Sequence, residues 1–169
     1  LYSVDALIHV VRCFENKDIT HVDSKVSPLN DIDVIETELL LSDLSKIENI
    51  IENLKKKNKG KVIDPKLINT LESAKKNLDS GIFLRNCSDE PLDSKILASY
   101  NFLTVKPMIY VCNVDEDSII TGNELSKQVE RIANQTSTKV LNISADIESE
   151  ISLIENLKEK QEFLLSIGL

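Results

Sequence analysis

Five consecutive apolar residues, Met108 to Cys112, run without a polar break into Asn113-Val114-Asp115-Glu116. An unbroken run of this length, opened by Lys106-Pro107, is the pattern of a strand buried on both faces of a parallel sheet. Ligands of open α/β sheets bind at the C-terminal strand edge, and here that edge receives an amide and an acid. Val4 to Phe14 (VDALIHVVRCF) reads as another core strand, continuously apolar, with His9 as a core histidine rather than a ligand. Val140 to Ile143 makes a short third strand ending in Ser144-Ala145-Asp146. A helix from about Asn123 to Gln135 shows Leu125, Val129, Ile132 and Ala133 on one face, and a last helical region from about Ser149 to Ile167 packs Ile151, Ile154, Phe163 and Leu164. Strand-helix-strand-helix order fits a parallel sheet with right-handed crossovers.

Between the first two strands the period changes. After a polar connection over residues 15–30, with Asp31 as the expected N-cap, Ile32 to about Lys57 is helical. Leu40, Leu44, Ile47, Ile51 and Leu54 alternate spacings of four and three, the seam of a coiled coil. Asn58 to Lys61 break the pattern, with Gly60 as the stop. From about Asp64 to Asp79, Leu67, Leu71, Ala74 and Leu78 repeat the same spacing, with Pro65 in the first turn. Neither stripe can be buried alone, so the pair predicts an antiparallel helical hairpin. Ser88 is the expected cap of a short helix from about Asp89 to Tyr100.

The position of Asn113 is where P-loop GTPases carry Asn-Lys-x-Asp, the motif that reads guanine. Val114 replaces the Lys and Glu116 the Asp. The short Asp accepts from guanine N1–H and the 2-amino group, and adenine has neither donor. A site built on such bonds rejects the analogue lacking them by as much as ~10⁴-fold. Lengthening the acid to Glu116 relaxes that demand and admits adenine. Asn113 then pairs with the N7/N6 edge, and Val114 supplies apolar surface to the ring.

The stretches HVVRCFEN, ITHVDSKVSP, LTVKPMIYVCNVDE and SADIESEISLIENLKEKQEFLLSIGL resemble the Obg-like ATPase (YchF) family of P-loop NTPases, across nearly the whole chain and most weakly over about residues 55–90. The resemblance implies an α/β fold: a partial parallel-sheet P-loop NTPase domain with an inserted antiparallel coiled-coil hairpin. Residues 1–30 and 105–169 would form the NTPase part and 31–104 the insertion. It further implies an ATP-preferring NTPase working with ribosomes or translation factors in the cytoplasm. Base-binding residues would be Asn113, Val114, Glu116, Ser144 and Ala145, the last two through backbone N–H groups. Where relatives follow Ser-Ala with a Lys against the ring, Asp146 stands here.

No G-x-x-x-x-G-K-[ST] occurs, and the only glycines are Gly60, Gly81, Gly122 and Gly168. The phosphate cradle, its Lys and the hydroxyl on Mg²⁺ are therefore expected upstream of Leu1, and a TGS-type domain after Leu169. Nucleotide with Mg²⁺ belongs to the complete protein. No Mg²⁺ ligand and no catalytic residue are assigned in this chain, which is expected to hydrolyse nothing alone. Glu15, Asp18 and His21 read as surface loop residues.

A net charge of −8 argues against non-specific nucleic-acid or membrane binding by the chain as a whole. Lys55, Lys56, Lys57, Lys59 and Lys61 nevertheless cluster at the hairpin tip, a candidate contact with phosphate backbone, although a solvated tip explains them too. No apolar stretch approaches the roughly 18 residues a membrane span requires. Cys13 and Cys112 sit in apolar strands as reduced thiols, which favours a reducing compartment. Two alternatives stay open: a hairpin docking module in which nucleotide is only a switch, and a GTPase that tolerates Glu116.

Overall fold

The computed structural model describes residues 4–15, 26–57, 63–87 and 92–168. Three strands, β1 (Leu7–Arg12), β2 (Met108–Asn113) and β3 (Lys139–Ile143), form one sheet in the order β1-β2-β3. β2 and β3 are parallel, with Ile109 opposite Lys139 and Asn113 opposite Ile143. β1 runs the same way: Leu7 N–H donates to Pro107 C=O at 2.9 Å, and Cys13 N–H to Asn113 C=O at 2.8 Å.

Helix α1 (Pro28–Lys57) follows β1, then α2 (Pro65–Asp79) and α3 (Ser94–Ser99) precede β2. Between β2 and β3 lies α4 (Glu124–Gln135), and α5 (Ala145–Leu153) and α6 (Leu157–Ser166) follow β3. The described residues of Leu1–Leu7 and Asp33–Pro107 make one compact unit, and those of Ile8–Ile32 and Met108–Leu169 another.

In the helical unit the two apolar stripes share a core. Ile47 and Ile51 of α1 are buried with Leu71, Ala74 and Leu78 of α2, and Leu40, Leu44, Leu54 and Leu67 pack beside them. Cross-helix pairs set the direction: Lys55 pairs with Glu72 at 3.2 Å and Lys75 with Glu48 at 2.9 Å. Partner numbers fall on one helix as they rise on the other, so the hairpin is antiparallel. Its expected turn, Asn58 to Lys61, lies outside the described residues.

Four expectations are corrected. β1 is not buried throughout: Leu7 and Val11 are, but Ile8 and Val10 are 66% and 61% exposed. Successive strand residues point to opposite faces. The β1 residues that share the face of Tyr110 are covered, and Ile8 and Val10 on the opposite face are open, although Val111 of β2 on that face is buried. Helix α1 begins at Pro28, one turn before the expected cap. Proline's missing N–H and fixed φ suit a first helical position, and Asp31 then lies in the first turn, its N–H on Ser27 C=O. Helix α3 starts at Ser94, capped by Asp93, whose Oδ1 accepts the N–H groups of Lys95 and Ile96 at 2.9 and 3.1 Å. The cap assigned to Ser88 falls outside the described residues. Finally, the last helical region is two helices. Ile154 takes extended backbone after α5, and Asn156 caps α6 by accepting from Lys158 N–H at 2.9 Å.

Candidate nucleotide-base site

Parallel register brings the ends of β2 and β3 together. Asn113 closes β2 opposite Ile143, and the chain leaving β3 turns at once into α5. Asn113 Oδ1 accepts the Ala145 N–H at 2.9 Å, tying the two loops to each other. One residue on, Val114 N–H donates to Ile143 C=O at 2.8 Å. Ser144 is the N-cap of α5. Its Oγ accepts from Ile147 N–H at 3.5 Å and its C=O from Glu148 N–H at 3.0 Å.

The arrangement divides the candidate residues. An N–H can only donate, so the amide atom facing Ala145 is the oxygen, and the Asn113 NH₂ group turns the other way with two donors to offer. Ala145 is exposed, but its N–H is already taken. Ser144 is 1% exposed and acts through its cap. Val114 is 3% exposed, so the apolar surface expected to meet a ring is instead packed beneath the loop. Glu116 is exposed, opening a single 3-10 turn over Glu116–Ser118 with Asp117 beside it. A residue free to point an acid at a ligand and a residue that holds the loop are therefore different residues here.

Behind this loop stands Asn123, whose wider role sequence reasoning missed. Its Oδ1 caps α4 by accepting the N–H groups of Leu125 and Ser126 at 3.0 and 2.9 Å. Its N–H donates to Ser126 Oγ at 2.9 Å, and its Nδ2 donates to Cys13 C=O at 2.7 Å. One side chain thus joins the end of β1 to the start of α4. The Asn-x-x-Ser spacing signals the capping box, but nothing in the sequence points to Cys13. Gly122 precedes it at φ +66°, and a Cβ there would lie 2.6 Å from Ser126 Oγ, so only glycine fits.

Cys13 and Cys112 are both 0% exposed and lie against each other. The hydrogen bond between the thiols, followed by burial, raises the pKa of Cys13, which keeps it protonated and unsuited to act as a nucleophile. His9 packs its ring against Tyr110, centroids 5.7 Å apart.

At the other candidate surface, Lys55, Lys56 and Lys57 form the last turn of α1. Two already hold partners: Lys55 pairs with Glu72, and Lys56 with Glu52 at 2.6 Å. Lys59 and Lys61 lie outside the described residues, as do Asp18 and His21.

No family model matches the chain. Among characterised proteins it is similar to the ribosome-binding ATPase YchF of Haemophilus influenzae, 40% identical over 168 residues. Those of Escherichia coli O157:H7 and Bacillus subtilis are 37% and 36% identical. Each alignment covers 99% of this chain and 46% of the relative, so the chain spans about half the length of the proteins it matches. Among solved structures it superposes on the Schizosaccharomyces pombe YchF GTPase with a TM-score of 0.82 at 23% identity, over 98% of this chain and 46% of that one. This last likeness establishes the fold.

Proposed function

We propose, from the premise that this chain is of the Obg-like (YchF) family over 99% of its length, that it forms the base-reading part of an ATP-preferring NTPase that works with the ribosome. The bond from Ala145 N–H to Asn113 Oδ1 carries the reading, because it fixes the amide with its oxygen toward Ala145 and its two NH₂ donors turned the other way. A donor pairs with purine N7, an acceptor that adenine and guanine share. Asn113 on this view holds a purine without choosing between the two. The choice falls to Glu116, the exposed acid three residues on. An acid set to accept from N1–H and the 2-amino group selects guanine, and the longer Glu116 gives up that geometry. The described relatives are named ribosome-binding ATPases, and this agrees with the adenine assignment.

Val114 serves this site as packing and Ser144 as the cap that sets the loop. Ala145 contributes by fixing Asn113 rather than by touching the base. When nucleotide and Mg²⁺ are bound, they supply the phosphoryl group and its charge compensation. The residues of this chain bind and orient the base. Among the described residues no helix is long and apolar enough to cross a membrane.

The test is competition of ATP against GTP for a fluorescent nucleotide, with Glu116→Asp compared to the natural protein. Restoring one charge-assisted hydrogen bond to guanine is worth about 1.5–3 kcal/mol. The variant should therefore gain roughly 10- to 100-fold in GTP affinity relative to ATP. Asn113→Ala should weaken both nucleotides together. An unmoved ATP:GTP ratio in Glu116→Asp would refute the specificity assignment.

A further inference from the structure

A cavity of about 430 Å³ opens between the turn after β2 and helices α5 and α6. Its walls are of two kinds. Ile120, Ile147 and Phe163 supply apolar surface, and Glu116, Asp117 and Glu150 supply three carboxyl groups, with no lysine, arginine or histidine among the lining residues. Ile120 is 62% exposed, a large side chain left uncovered beside concentrated negative charge. None of these three acids is in a described ion pair, whereas Glu48, Glu52 and Glu72 on the hairpin each hold a lysine.

Apolar walls under an acidic rim match a side chain that is aliphatic along its stem and cationic at its head. Arginine fits best. Its guanidinium forms paired hydrogen bonds with carboxylates and stacks on an aromatic face such as that of Phe163. The same acids repel phosphate, which excludes a nucleic-acid backbone as the occupant. We propose that this cavity is a docking site for a protein partner, entered by an arginine flanked by aliphatic residues on a basic segment of that partner. The cavity shares Glu116 with the base site proposed above, but its decisive residue, Glu150 on α5, has no part in base reading.

Fluorescence anisotropy tests it, with a short fluorescein-labelled peptide of leucine and arginine as the probe. The variants are Glu150→Lys in the cavity and Glu155→Lys outside it, which change net charge equally at exposed positions. Circular dichroism establishes that both remain folded. Glu150→Lys should weaken binding at least ~10-fold and Glu155→Lys less than ~2-fold, because only the first places a cation where the guanidinium would sit. The citrulline counterpart of the peptide, neutral but equal in shape, should bind as weakly as the peptide does to Glu150→Lys. Equal weakening by the two variants would show attraction to bulk negative charge and overturn the proposal. So would spermidine displacing the peptide at equal concentration, since the cavity would then hold any cation.

Discussion

Asp43 is completely buried on α1, and its carboxyl oxygens accept three hydrogen bonds from the chain leading into β2. Leu103 N–H donates at 3.0 Å, and the N–H and hydroxyl of Thr104 both donate at 2.7 Å. Removing the acid would leave two backbone donors buried without acceptors, and such groups cost about 1–3 kcal/mol each. Asp43→Ala should therefore destabilise the chain by about 3 kcal/mol, measured as a lower urea midpoint with unchanged slope. A loss below about 0.5 kcal/mol would mean that water reaches those donors. Nothing in the sequence identifies Asp43, because its partners stand sixty residues away and its neighbours read as an ordinary helix face. Asn113 is the opposite case. The apolar run before it and the acids after it mark it at once, yet the orientation of its amide depends on Ala145, thirty-two residues further along.

At the scale of elements, the hairpin stripes were readable because burial on a helix repeats with the helical period, and the positions so marked are those in the shared core. Helix starts were less legible. Asp31 and Asp93 both have side chains able to cap, but Asp31 lies inside the first turn of α1 and only Asp93 serves as a cap. It caps α3 and also pairs with Lys66 of α2, so one side chain ties two helices. Lys66, followed by the N–H of Ile96, holds the Asp93 carboxyl below its usual range. A depressed folded pKa means a contribution fully present above the ordinary carboxylate pKa and lost as pH falls through the lower folded value. In Asp93→Asn the cap can persist, but that part of the acid dependence should vanish. Urea unfolding of both proteins between about pH 5 and 2 would show the variant's curve flatter. Parallel curves would assign the acid sensitivity to other carboxyl groups.

For the whole molecule, an acidic chain with three lysines in the last turn of α1 has two surfaces of opposite character. The lysines suit phosphate, and the cavity at α5 and α6 suits a cation. Changing Lys55, Lys56 and Lys57 to Glu should weaken co-sedimentation with ribosomes by ~10-fold, with a salt dependence shallower than that of the natural protein. Unchanged association would leave the tip as solvated surface, a reading that the ion pairs of Lys55 and Lys56 already favour for those two residues. The sequence by itself determined the parallel strands and the helical hairpin, and it singled out the stretch after β2 as the candidate site. Each is set by local periodicity or by a contiguous motif, and such signals survive without knowledge of distant contacts. Only the tertiary structure decided that Val114 is packed away, that Ala145 spends its N–H on Asn113, and that Asp43 and Asn123 join segments far apart in the chain. These outcomes depend on which polar groups meet after folding, and a hydrogen-bond partner is chosen by proximity in space, which adjacency in sequence does not encode.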